Sequence, residues 1–194
     1  MQKISTFIFL LFFLFLPQAS FAALGLSVNP LDGSNSLRFR PTVDGIQVNK
    51  EVRVRVTSTD GQRYQVFQRL MEPMINEKGE IFDLRALRTG SVSNSNASGT
   101  LYLQNTDQMG MGEQLVYTSA QEGNGDSFVV VYAIDPTVPN PSGNFSGRLL
   151  LSARSMGEQS QASVSIFVEN QSRWKAEVSG GHSKSRVRVK DTDV

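Results

Sequence analysis

Chemistry-bearing residues are few and scattered along the chain. The only histidine, His182, lies in Ser179-Gly180-Gly181-His182-Ser183. A catalytic histidine needs one group to hold its tautomer and a nucleophile within hydrogen-bond reach. A run of glycine and serine supplies neither, so His182 reads as a solvated loop position. Ser172-Arg173-Trp174-Lys175 has the Ser-x-x-Lys spacing that sets a nucleophilic serine one helical turn from a lysine. The partner motifs Ser-Asp-Asn and Lys-Thr-Gly are missing, and the segment reads as extended, so the match is coincidental. The loops Asp32-Gly33-Ser34-Asn35 and Glu122-Gly123-Asn124-Gly125-Asp126 offer oxygen atoms. Calcium takes about six to eight oxygens, from acids at alternate positions with a closing glutamate, a series that neither loop shows. Both read as turns. With no cysteine in the chain, thiol redox chemistry and thiolate metal sites are excluded. No catalytic residue, metal ligand or cofactor is expected.

The remaining candidates are suited to contact. From Glu169 to Lys190 the chain carries six basic residues, Arg173, Lys175, Lys184, Arg186, Arg188 and Lys190, against two acids, Glu169 and Glu177. Trp174 stands between Arg173 and Lys175, and an exposed aromatic among cations suits a protein interface. Trp174, Arg173, Lys175, Arg186 and Arg188 are therefore the candidate binding residues. Arg186-Val187-Arg188-Val189 repeats the tetrapeptide Arg53-Val54-Arg55-Val56. Residues 169–194 read as a basic tail, an extra edge strand or the opening of a second domain.

The elements that would position these residues are strands. Apolar residues alternate with polar ones in Glu51-Val52-Arg53-Val54-Arg55-Val56, in Tyr64 to Leu70, and in Ala162 to Val168, the period of a half-buried strand. Thr100 to Leu103, Gln114 to Tyr117 and Gly147 to Ser152 continue the series, as do Leu24 to Val28 and Leu37 to Phe39. Ser127 to Ile134 is apolar on both alternations and suits a central strand. Tyr64, Phe67, Tyr102, Tyr117, Phe128, Tyr132 and Phe167 fall in these strands and read as core. Val52, Val54, Val56, Val129, Val131, Leu149 and Leu151 are the expected aliphatic core. Gly/Asn/Asp/Pro clusters separate the strands, and Thr59-Asp60-Gly61-Gln62 reads as a tight hairpin turn joining the Val52 and Val66 strands. Met71 to Leu87 is ambiguous, with Pro73 against a long helix and Ile81-Phe82 a further edge strand. The pattern predicts an all-β, antiparallel immunoglobulin-like sandwich of about seven to nine strands over residues 23–168.

Lys3, the apolar block Phe7 to Leu16, and Ser20-Phe21-Ala22 have the layout of a secretory signal peptide over residues 1–22. The block is too short to span a bilayer, which takes about 20 apolar residues. The chain is expected to be exported, to the periplasm or the cell surface, with no transmembrane segment. The mature chain would have 172 residues, 194 less the 22 of the leader. Of 19 Lys/Arg and 18 Asp/Glu, Lys3 leaves with the leader, so the mature chain is formally neutral. Nucleic acid and anionic lipid are not expected as partners. Asn96-Ala97-Ser98, Asn144-Phe145-Ser146 and Asn170-Gln171-Ser172 fit the short N-glycosylation pattern.

Asp135-Pro136-Thr137-Val138-Pro139-Asn140-Pro141-Ser142-Gly143-Asn144-Phe145-Ser146-Gly147-Arg148-Leu149 resembles the Pro-x-Gly-x-Tyr-x-Gly run that leads into a late strand of exported bacterial immunoglobulin-like modules, fimbrial subunits and spore-coat-type pilin domains among them. Phe145 stands where tyrosine is usual, so any hydrogen bond made by that hydroxyl is lost. The aromatic suits the open end of a sandwich, and Gly147 lets the backbone pass closely before Leu149 enters the core. The resemblance implies a non-enzymatic fimbria-like subunit or envelope component that acts by protein contact, with protein partners at the cell envelope and self-assembly among the options. Strand addition or face-to-face packing would be its mechanism, with Leu24 to Val28 a weak candidate for a donor strand. The alternatives are a periplasmic chaperone for such subunits, for which the chain is short, and a carbohydrate-binding or hydrolase accessory. The leader is directly testable: N-terminal sequencing of exported protein should begin at Ala23, and a retained Met1 would refute export through this segment.

Overall fold

The computed structural model describes residues 24–40, 48–92, 97–103 and 107–170, together with the backbone of 173–178 and 187–192. The strands are β1 (Leu24–Pro30), β2 (Ser36–Phe39), β3 (Val48–Ser58), β4 (Gln65–Leu70), β5 (Leu87–Val92), β6 (Thr100–Leu101), β7 (Asp107–Gln108), β8 (Gln114–Thr118), β9 (Asp126–Ile134), β10 (Gly143–Arg154), β11 (Gln159–Asn170), β12 (Arg173–Val178) and β13 (Val187–Thr192). Two sheets form a sandwich, one in the order β1-β3-β9-β5-β7 and the other β2-β11-β10-β4-β8-β6. Among the described residues β12 and β13 pair only with each other.

The expected all-β sandwich is present, and its strand order is that of an immunoglobulin-like fold: β1, β3, β9 and β5 make one sheet, with β4, β10 and β11 central to the other. Two features depart from a simple antiparallel order of neighbouring strands. β2 runs parallel to β11, with Leu37 beside Ile166 and Phe39 beside Val168. The chain therefore switches sheets between β1 and β2, through a turn in which Leu31 N–H donates to Glu51 O at 2.9 Å. β8 pairs outside β4 although it follows β5 in the chain.

Alternation on β3 buries Val52, Val54 and Val56 and exposes Glu51, Arg53 and Arg55. They face the inner residues of the other sheet, among them Leu149 and Leu151 of β10 and Val164, Ile166 and Val168 of β11, all buried. On β9 Asp126, Phe128, Val130, Tyr132, Ala133 and Ile134 are buried, whereas Val129 and Val131 are half-buried on the outer face, which corrects their assignment to the core. The run is apolar on both alternations, so periodicity alone cannot orient it. Pairing decides: Val52 lies opposite Val130 and Val54 opposite Phe128, and a strand turns successive residues to opposite faces. The aromatics divide in the same way. Tyr64, Tyr117, Phe128 and Tyr132 are core, Phe67 and Phe167 are half-buried on the outer face of the six-stranded sheet, and Tyr102 is exposed.

The Thr59–Gln62 bend has the expected local chemistry, with Gly61 at φ +66° and Asp60 accepting from Gln62 N–H at 3.2 Å. It is not a hairpin. β3 and β4 lie in different sheets, so the bend is an arch across the sandwich. Turn residues specify a local reversal, while the choice of partner follows from which faces must be buried.

The ambiguous stretch becomes a small loop-back whose centre is Asn76. Its Oδ1 accepts from Lys78 N–H at 3.0 Å and Glu80 N–H at 2.9 Å, and its Nδ2 donates to Ser142 O at 3.1 Å. Phe82 is buried against Phe145, edge to face at 5.3 Å between ring centres. Phe145 thus fills the end of the sandwich as its sequence context implies. Gly147 is also required there, since a Cβ would sit 2.8 Å from Met74 Cγ. Asn170 at the end of β11 donates to Asn140 O at 3.0 Å and Pro141 O at 2.7 Å, tying that end to the same loop.

Two buried polar clusters join the layers. Tyr132 of β9 donates to Gln68 Oε1 of β4 at 2.7 Å, and Gln68 Nε2 donates to Thr89 Oγ1 of β5 at 3.1 Å and to Gln114 Oε1 of β8 at 3.0 Å. Elsewhere, Tyr117 donates to the Asp126 carboxylate, which also accepts from Ser98 N–H and Ser98 Oγ, each at 3.0 Å. Tyr64 donates to Asn124 O at 3.0 Å. Burial pushes the hydroxyls of Tyr64, Tyr117 and Tyr132 well above the usual tyrosine range, and Asp126 adds to this at the first two.

Val130→Ala should lower stability by about 2–3 kcal/mol, through lost burial and a residual cavity, and Val131→Ala by less than about 1 kcal/mol. Equal shifts in denaturant midpoint would overturn the facing of β9. The raised tyrosines favour the protonated fold, so their contribution is full below the unfolded value of about pH 10 and is lost as pH rises through the higher folded values. The midpoint should therefore fall above about pH 10, less steeply in Tyr132→Phe; identical alkaline profiles would show that Tyr132 is solvated.

Candidate interaction surfaces

The candidate residues of the tail are distributed by the β12–β13 pairing. Its register sets Arg173 opposite Thr192, Trp174 opposite Asp191, Lys175 opposite Lys190, Ala176 opposite Val189, Glu177 opposite Arg188, and Val178 opposite Val187. The structure thus brings four of the five candidates, Arg173, Trp174, Lys175 and Arg188, onto one paired ribbon, with Arg188 in register with Glu177. Arg186 and His182 lie outside the described residues, as does Ser172 of the Ser-x-x-Lys match. Lys175 is on a strand, not on the helix that such a pair requires.

A second surface is the outer face of the six-stranded sheet. Register places Phe167 beside Arg38 and beside Ser146, and bridges place Ser146 beside Ile75 and Ile75 beside Ile81. The result is a row, Arg38-Phe167-Ser146-Ile75-Ile81, across the sheet. Ile75 is 45% exposed and Ile81 62%. The Arg38 guanidinium lies over the Phe167 ring at 4.6 Å. In the next row Met71, also exposed, donates its N–H to Arg148 O at 2.9 Å, and Arg148 lies beside Ser165. Ser146, at the centre of the row, is exposed.

Farther along this face, Arg154 lies over Phe67 at 5.0 Å and pairs with Glu113, whose carboxyl its guanidinium holds below the usual range. The outer face of the five-stranded sheet has a shallow depression of about 340 Å³ lined by Asn49, Glu51, Arg88, Gly90, Val131 and Ala133 among others. Arg88 is paired there with Asp135 at 3.1 Å. Thr137 first, and then Arg88, hold the Asp135 carboxyl below its usual range.

The other flagged positions have structural partners. Asp32 accepts from Ser34 N–H at 3.0 Å and pairs with Lys50 at 2.8 Å, so its loop is a turn braced by a cation. Leu24 to Val28, the candidate donor strand, belongs to β1 and pairs with β3 of its own sheet, with Leu24 buried. Among the described residues no three His, Cys, Asp or Glu side chains are grouped to hold a metal, and no helix is long and apolar enough to cross a membrane.

The sequence signal for the outer row is weak. Phe167 is recoverable, because its neighbours Ile166 and Val168 alternate into the core. Ile75 and Ile81 sit in a segment without strand periodicity, and only the bridge from Ile75 to Ser146 of β10 and the bridge from Ile81 to Ile75 bring them into line with that face.

No protein-family model matches this chain, and no curated protein sequence matches it. Solved structures do align with it at low identity. A family 123 glycoside hydrolase from Clostridium perfringens is 14% identical over 77% of this chain, with a TM-score of 0.46; the chain spans 28% of that protein's length. The CooA pilin subunit from enterotoxigenic Escherichia coli is 10% identical over 75% of this chain and 98% of its own, with a TM-score of 0.42. AggA, the major subunit of aggregative adherence fimbriae type I from Escherichia coli, is 12% identical over 76% of this chain and 95% of its own, with a TM-score of 0.43.

Proposed function

We propose that this chain is an exported, non-enzymatic structural protein of the cell envelope, a fimbria-like subunit or envelope component that works by protein contact. The observation that carries this reading is a sandwich complete in its own strands that leaves apolar surface exposed outside its core. β11 occupies the late-strand position and pairs with β10 over its full twelve residues. No groove between them awaits a strand from elsewhere. Of the described edge strands, β6 and β7 are two residues each and β2 is four, and such short edges disfavour strand addition; β1, at seven residues, is the longer one. Of the two contact modes open to such a protein, face-to-face packing is the one this architecture favours.

The discriminating experiment is sedimentation of envelope fractions from cells that export a tagged mature chain, with cross-linking before lysis. A structural component should be recovered in large, stable multiprotein fractions. A chaperone would appear in small complexes that turn over as subunits leave, and recovery of the tagged chain only as free monomer would refute the structural reading.

A further inference from the structure

The outer face of the six-stranded sheet carries both halves of a contact. Ile75 is exposed between buried Met74 and Asn76, and Ile81 is exposed beside buried Phe82. Alternation and the antiparallel bridges therefore turn both isoleucines to the side on which Ser146 and Phe167 stand. Across the row, β2, β11 and β10 supply the first three positions, Arg38, Phe167 and Ser146. The segment from Met71 to Ile75 continues the β4 side of β10 as the fourth, and Ile81 is the fifth.

We infer that this face docks on the same face of a second copy, about a two-fold axis that runs parallel to the strands between the third and fourth positions. The inference deepens the proposed function and rests on it: the envelope component would contact its own copies in pairs.

Two observations select a second copy. The first is the match of apolar groups. Such an axis keeps each row and reverses the order of positions, so Ser146 of one copy meets Ile75 of the other and Phe167 meets Ile81. Ile75 closes over a small side chain, and Ile81, 62% exposed, packs against Phe167 and the Arg38 guanidinium that covers its ring. Symmetry makes each contact twice. An axis along the row would instead stack Arg38 on Arg38.

The second is charge. Arg148, one row along on β10, and Glu72, between Met71 and Ile75, are both exposed, and neither makes a hydrogen bond or ion pair among the described residues. Met71 N–H donates to Arg148 O, which puts Glu72 at the fourth position between the two rows. The axis therefore sets each Arg148 against the other copy's Glu72. In the following row Leu150, beside Arg69 in its own sheet, meets the other copy's Arg69, so no like charges are opposed. A face that carries both signs in these places fits itself better than a partner of either net charge. Because one patch serves both copies, the contact is isologous and closes at two chains.

The row is about 19 Å long, from five positions at about 4.8 Å, and three rows span about 14 Å. Such a patch is well under the roughly 800 Å² per partner of a standard interface, and so belongs to the weak class. Sedimentation equilibrium of the full mature chain should show average mass rising from one chain toward two between about 10 μM and about 1 mM, and no further. Ile75→Asp/Ile81→Asp should leave a monomer with the wild-type far-ultraviolet spectrum and melting temperature, because both side chains are exposed. Arg148→Glu and Glu72→Arg, each alone, oppose like charges at both symmetry-related pairs and should weaken association at least about tenfold. An equimolar mixture of these two single variants should recover a 1:1 dimer, since each position 148 then meets an opposite charge at position 72.

A wild-type chain that is monomeric throughout overturns the proposal, and so does growth beyond two chains. Undiminished association of the Ile75→Asp/Ile81→Asp chain would place the contact elsewhere and overturns it too. A mixture that associates no better than its components overturns the pairing of Arg148 with Glu72, and with it the axis. None of these results bears on recovery in envelope assemblies, so failure of self-docking and failure of the structural reading are distinguishable.

Discussion

The ladder between β10 and β11 is the constraint on which the rest depends. It joins Gly143 to Asn170 at one end and Arg154 to Gln159 at the other, closing a hairpin with only four residues between strands. That register sends Leu149, Leu151, Val164, Ile166 and Val168 inward and leaves Ser146, Arg148, Ser165 and Phe167 outside. A slip of one residue would exchange the two sets, so core and outer face are specified together. The same ladder provides the edge on which β2 pairs in parallel, which closes one side of the sandwich where the chain switches sheets. It also sets where the tail leaves the domain, because Asn170 is both the last rung and the side chain that grips Asn140 and Pro141.

Without cysteine, register must be held by packing and hydrogen bonds. The cluster of Gln68, Thr89, Gln114 and Tyr132 serves this purpose because its members come from four strands in both sheets. An apolar core of the same volume would tolerate sliding of one sheet over the other. A buried amide satisfied on both oxygen and nitrogen does not, since displacement leaves polar atoms unpaired at about 1–3 kcal/mol each. Tyr117, Ser98 and Asp126 play the corresponding part at the other cluster, where they hold the backbone before β6 against the start of β9.

What was legible in the sequence follows from these forces. β3 announces itself because its valines alternate with charges, and the Phe145-x-Gly147 run correctly indicates an aromatic tucked beneath a close-passing backbone. The facing of β9 was not legible, because valines fill both alternations and the partner strand makes the choice. The Asp60-Gly61 bend was readable as a bend but not as an arch, since turn residues carry no information on which sheet the next strand joins. For the candidate surfaces, the tail's basic character was plain. Its pairing into a ribbon, β12 against β13, is a backbone register that no local pattern supplies. The outer row was hidden more deeply. Its members come from residues 38, 75, 81, 146 and 167, and nothing but the ladder brings them into line.

This distribution of apolar surface also bears on how such a protein avoids indiscriminate association. A sheet edge offers unpaired backbone groups to any strand, and the described outermost strands here are short, or lie where the chain crosses between sheets. An outer face is more selective. Side chains on it must be matched in shape and charge, and Ile75 and Ile81 are flanked in sequence by glutamates while Phe167 lies beneath the Arg38 guanidinium. Such neighbours keep the exposed apolar patch small, and they penalise partners that bring the wrong charge. Moving the apolar surface from the edge to the face thus exchanges strong, nonspecific backbone pairing for weaker contact that depends on side chains. With β11 already in place along β10, the face-to-face contact proposed above does not require the sandwich to open.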